Sequence, residues 1–204
     1  MKGTRFVRTA GVAGMFGAVL WVLALYIEYA YDLFQPREGV LYAANQIMFL
    51  IGMLCFLTVI AGLMRAGAGG RFGKVSLGIF FFGWMMFAAA VLLDVIGISV
   101  VSGSPVADLV ILVGAVASTL GGLLAGIAVA VAGRLPGIWR FAPLTQGLYQ
   151  LAAFLRVVLL GQEPTQLTES LWMATWFLIG LALLVAASDE APVDRNEAKA
   201  LVEA

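Results

Sequence analysis

Six apolar stretches, of roughly 17 to 26 residues and separated by short polar or glycine-rich turns, account for most of this 204-residue chain. A backbone amide or carbonyl left unpaired in hydrocarbon costs several kcal/mol, so a run of that length is stable in lipid only as a helix that satisfies its own hydrogen bonds. The expected fold is therefore an all-α integral membrane protein, a bundle of six transmembrane helices. Composition bears on this through its charge content. Only 12% of the residues are charged and 62% are hydrophobic, against about a quarter charged in an ordinary soluble domain.

The spans fall at about 11–34, 41–64, 75–100, 106–131, 139–160 and 171–187, making one membrane domain over residues 1–187, with a polar tail at 188–204. Gln35-Pro36-Arg37-Glu38-Gly39, Ser102-Gly103-Ser104-Pro105 and Gly161-Gln162-Glu163-Pro164 read as tight turns, and Arg65 to Lys74 as a flexible glycine-rich linker. The fifth span is the weakest, because Thr145, Gln146, Gln150 and Arg156 dilute its hydropathy. A re-entrant or interfacial segment is the alternative there.

Orientation follows from the basic residues, which stay on the cytoplasmic side of short loops. Alternate connections divide them ten against one. Lys2, Arg5, Arg8, Arg65, Arg71, Lys74, Arg134, Arg140, Arg195 and Lys199 fall on one side, and Arg37 alone on the other. Both termini are expected in the cytoplasm, and the even number of spans this requires supports the fifth. The basic amino terminus could open a signal peptide, but its apolar run is too long and no small-residue cleavage site follows, so it reads as a retained helix. In hydropathy alone the chain is similar to small six-span bacterial membrane proteins, which implies the bacterial cytoplasmic (plasma) membrane and carries over no residue and no activity.

Missing residue types narrow the chemistry. There is no histidine, which removes the usual histidine-ligated haem and zinc sites and Ser-His or Cys-His catalysis. Cys55 is the single cysteine, so no intramolecular disulfide or thiol pair exists; it reads as a small core residue. Gly67-Ala68-Gly69-Gly70-Arg71-Phe72-Gly73-Lys74 is glycine-rich but lacks the Ser or Thr after lysine that a phosphate loop needs. The expectation is a protein with no catalytic residues, no metal and no cofactor, and zero net charge gives no basic surface for nucleic acid.

On the fourth span Gly114, Ser118, Gly122, Gly126 and Ala130 recur every four residues. That spacing lays small residues along one ridge, where another backbone can approach closely. Packing within the bundle is the first reading and a homodimer seam the second.

Glu28, Asp94 and Arg156 are ionisable residues inside apolar spans. Such groups need a partner, water or neutralisation. Counted along their helices, all three lie about 8 to 9 Å below the outer boundary, so Arg156 is level with both carboxylates. Asp32 is expected one turn above Glu28 on the same face, with Asn45, Gln46 and Gln150 as neighbours in the layer. Two readings stay open. The layer is either a buried salt-bridge and hydrogen-bond cluster that fixes helix partners, or an outward-facing pocket for a small solute, an ion or a lipid headgroup. The corresponding functions are a non-enzymatic subunit, assembly factor or sensor, and, as the alternative, a small-solute or ion transporter or channel. The expected partners are the lipid bilayer, a second copy or other subunits of a membrane complex, and the small ligand itself.

Overall fold

A helix that meets its neighbour at glycine brings backbone against backbone, and the glycines of this chain decide which helices touch. The computed structural model describes residues 2–33, 39–96 and 105–189. Outside them lie Gln35 to Glu38, Ser102 to Ser104, residues 190–204 of the expected tail and the side chain of Asp94. The described residues form α1 (Lys2–Ala30), α2 (Val40–Arg65), α3 (Gly70–Val95), α4 (Pro105–Ala132), a 3-10 turn (Gly137–Phe141), α5 (Ala142–Leu160) and α6 (Gln166–Asp189). The structure is all-helical among these residues, and six of the helical segments are long and apolar enough to cross a membrane.

The helices close a ring in chain order. α1 packs between α6 and α2, α4 packs between α3 and α5, and the thinner α2–α3 and α5–α6 seams complete it. α1 is set against α6 where Gly11 and Gly180 meet: a Cβ on Gly180 would stand 2.7 Å from the Gly11 carbonyl oxygen. Against α2 the close approach is at Gly17, beside Cys55 and Gly52. The α4 ridge works in the same way but faces two partners. Gly114 and Ser118 meet Gly83 on α3, while Gly122 and Gly126 meet α5 at Gly147 and Leu144. The ridge thus packs against two helices of its own bundle.

Helix ends differ from the expected bounds for identifiable reasons. α1 stops at Ala30 because Asp32 takes a left-handed conformation (φ 49°) and the Leu33 N–H closes back onto the Glu28 carbonyl at 3.0 Å, a helix-terminating motif. Asp32 is exposed in that turn, so it does not extend the Glu28 face as expected. The linker expected over Arg65 to Lys74 is much shorter. α3 begins at Gly70, Ala68 is buried, and Arg134 donates from Nη1 to the Gly67 carbonyl at 3.0 Å. α6 starts five residues before the expected 171 because Thr165 and Thr168 cap each other: the Thr165 N–H donates to the Thr168 hydroxyl at 2.8 Å, and the Thr168 N–H to that of Thr165 at 3.3 Å.

The ring is filled by aromatic side chains from four helices. Trp176 lies between Phe56 and Phe80, stacked on them at centroid distances of 4.4 and 5.5 Å, and Trp84 meets Trp176 edge-on at 5.2 Å. Trp21 continues the column towards Trp84 and Phe49. The outward faces are apolar as well, with Leu112, Val131, Ile138 and Leu159 exposed, as suits a bundle solvated by lipid.

Candidate functional site

α1 begins and α6 ends on one face of the ring. The α5–α6 turn lies on the other, distal face, and beneath it three cavities meet. Gly161 ends α5 in a left-handed conformation (φ 61°), and Pro164 carries the chain into the threonine cap of α6. The Tyr149 hydroxyl donates to the Thr168 carbonyl at 2.7 Å and ties the two helices together just below the turn.

The first cavity, of about 280 Å3, has an aromatic lining: Trp21, Trp84, Phe87, Tyr149 and Trp172, with Glu169 at its edge. The second, of about 190 Å3, holds Arg156, Gln162, Tyr149 and Thr168. A third, of about 430 Å3, is an apolar groove between α4 and α5, lined by Ile111, Leu112, Phe154, Val157 and Val158, with Ser118 and Gln150 at its inner end. Ala153 and Pro164 border all three.

The residues of the expected polar layer separate into distinct surroundings. Arg156 is half-buried, and its Nε donates to Gln162 Oε1 at 3.0 Å. α1 and α5 are not neighbours in the ring; α6 stands between them. Glu28 lies within electrostatic reach of Glu169. Asn45 is only 1% exposed, with neither amide atom hydrogen-bonded, and Gln46 beside it is half-buried. Neither borders the three cavities. The side chain of Asp94 lies outside the described part.

Gln150 belongs to a polar chain at the α4–α5 contact. Gln146 Nε2 donates to Gln150 Oε1 at 2.8 Å, Gln150 Nε2 donates to Ser118 Oγ at 2.7 Å, and the Ser118 hydroxyl donates to the Ala115 carbonyl at 3.1 Å. Gly122 makes room for it, since a Cβ there would stand 3.3 Å from Gln146 Oε1. Breaking one member of such a chain leaves buried polar groups unpaired, at about 1–3 kcal/mol, while replacing both partners with apolar groups can be nearly neutral. Gln150→Leu is therefore expected to destabilise the protein more than the pair Gln146→Leu with Gln150→Leu. Unfolding in mixed micelles measures this, and additive costs would show that the two amides do not act together.

Glu169 is the site residue that the hydropathy of the chain conceals. With the sixth span begun at Leu171, Glu169 counts as a loop residue; with α6 begun at Gln166, it sits in the first helical turn, half-buried, between Trp172 and Trp21. The Trp21 indole nitrogen faces its carboxylate without a hydrogen bond of ordinary length and angle. The available signal was Thr165-Gln166-Leu167-Thr168 directly after Pro164, a pair of hydroxyls at capping spacing.

No family model matches the chain, and comparison with curated proteins and with solved structures found no significant match.

Proposed function

We propose that this protein is a multi-pass protein of the bacterial cytoplasmic membrane, with both termini in the cytoplasm, that binds an amphipathic molecule on its extracytoplasmic side. Its role on this reading is that of a non-enzymatic sensor or subunit of a membrane complex. The observation that carries it is the junction of an aromatic cavity with a lipid-facing apolar groove, which share Phe87, Ala153, Pro164 and Trp172 as lining. A ligand held in such a place is half in the protein and half in the lipid, and it gains apolar contact along the groove without crossing the ring. Positively charged residues on the alternate connections supply the orientation.

The test uses Ala153, the residue at which the cavities meet. Protein extracted gently from membranes and examined by native mass spectrometry is expected to carry bound lipid-sized molecules. Ala153→Trp fills the junction from a half-exposed position and is expected to remove those adducts with little change in thermal stability. Equal adducts on both proteins would sink the reading. Transport of a small solute by the wild-type protein in liposomes would replace it with the alternative, a transporter whose aromatic stack parts during the cycle.

A further inference from the structure

The three cavities differ in chemistry, and their order matches one class of amphiphile. The aromatic cavity is lined by Trp21, Trp84, Phe87, Tyr149 and Trp172, with Glu169 among its bordering residues, and no Lys or Arg lines it. Ring faces carry negative electrostatic potential, so a box of them beside a carboxylate favours an ammonium group. The neighbouring cavity has the opposite character. The hydrogen bond from Arg156 Nε to Gln162 orients its guanidinium, and its terminal nitrogens donate to no described residue, which suits a phosphate oxygen. The two cavities share Tyr149, Ala153, Pro164 and Thr168 as a common wall.

Spacing supports joining them. Ala153 borders both cavities and Arg156 lies about one helical turn further along α5, so the two are adjacent, as the short two-carbon bridge between ammonium and phosphate in a zwitterionic headgroup requires. Arg156 sits four residues before the end of α5 and Glu169 three residues after the start of α6, within about a turn of the distal boundary, where headgroups lie. From there the box reaches inward through Trp172 and Trp21 to Trp84 and Tyr149, which lie about 9 to 16 Å below the helix ends. From the level of Arg156 the groove runs inward from Val158 to Gln150, about 12 Å of helix, past side chains that are themselves exposed to lipid: Leu112, Val157 and Val158.

Resting on the reading above, we infer that the occupant is a zwitterionic phospholipid. Its ammonium lies in the box of Trp21, Trp84, Trp172 and Tyr149 beside Glu169, its phosphate lies at Arg156, and an acyl chain lies in the α4–α5 groove. Glu169 and Arg156 then choose among amphiphiles, while the groove accepts any of them.

The experiment titrates the full-length protein in neutral maltoside micelles with three probes that share one tail: dodecylphosphocholine, dodecyltrimethylammonium and dodecyl sulfate. Tryptophan fluorescence is the readout, since three of the five tryptophans line the box. The phosphocholine is expected to bind about tenfold more tightly than either singly charged probe, as one added charge-assisted contact allows. Glu169→Gln is expected to bring it down to the level of the sulfate, and Arg156→Gln to that of the trimethylammonium. Should the trimethylammonium match the phosphocholine and ignore Arg156→Gln, the site is one for an organic cation and the lipid assignment fails. If the sulfate matches it and ignores Glu169→Gln, the assignment fails in the opposite sense. In both cases amphiphile binding itself stands. Absence of any response to all three probes would overturn both readings. The wild-type comparison among probes decides the matter even if a variant fails to fold.

Discussion

Gly83→Ala is expected to abolish the stable bundle, whereas Gly78→Ala, one and a half turns away on the same helix, is expected to leave it intact or slightly firmer. A Cβ at Gly83 would collide with the Ser118 backbone nitrogen on α4 and stand 2.7 Å from Ser118 Cα and 2.8 Å from the Gly114 carbonyl oxygen. These are backbone atoms, so no rotamer change relieves the overlap, and α3 and α4 must move apart along their length. Overpacking against side chains costs about 1–3 kcal/mol; a fixed backbone puts the cost at about 3 kcal/mol or more. At Gly78 nothing stands within 4 Å of the added carbon, and Ala for Gly in a helix interior contributes up to about 1 kcal/mol. Thermal unfolding of both variants in one detergent makes the comparison. Similar melting temperatures for the two would refute the α3–α4 contact described above.

Trp176→Ala carries the second large effect. Trp176 is fully buried between Phe56 and Phe80, with Trp84 edge-on, so truncation leaves a void on three sides. In lipid the helices gain little from water exclusion, and packing contacts carry much of the association; a void there loses contacts that nothing replaces. The expected cost is about 3–5 kcal/mol, against less than about 1.5 kcal/mol for a Phe replacement that keeps the stack. Reversible unfolding in mixed micelles would measure both. A Trp176→Ala protein as stable as Trp176→Phe would mean that the column is not what holds the ring together.

The helices were legible because their signal is an average over some twenty residues, and no single error removes it. Their ends were not, because each depends on one backbone conformation: the left-handed Asp32 that stops α1, or the threonine pair that starts α6 early. The small-residue ridge on α4 was legible as a ridge. Its division between α3 and α5 was not, since spacing reveals that a face packs closely without naming its partner. The same gap explains the charged layer. Depth along a helix follows from residue number, so Glu28 and Arg156 were placed at one level; direction around the ring follows from packing, which set them on helices that are not neighbours. Gln150 is legible in the sequence as a polar residue of the fifth span, but its partners, Gln146 and Ser118, follow from the α4–α5 contact at Gly122 and Gly147.

The glycine contacts also make the ring mechanically uneven. Glycine brings α1 directly against α6 and α2, and α4 against α3 and α5, so each group of three resembles a stiff plate. The α5–α6 junction between the plates has the least contact of any neighbouring pair of helices, and near its distal end the Tyr149 hydroxyl donates to the Thr168 carbonyl. The cavities open beside that bond. The aromatic cavity and that of Arg156 span this thin seam, whereas the apolar groove lies chiefly between α4 and α5 within one plate, so a change in the angle between the plates alters the first two and leaves the groove largely as it is.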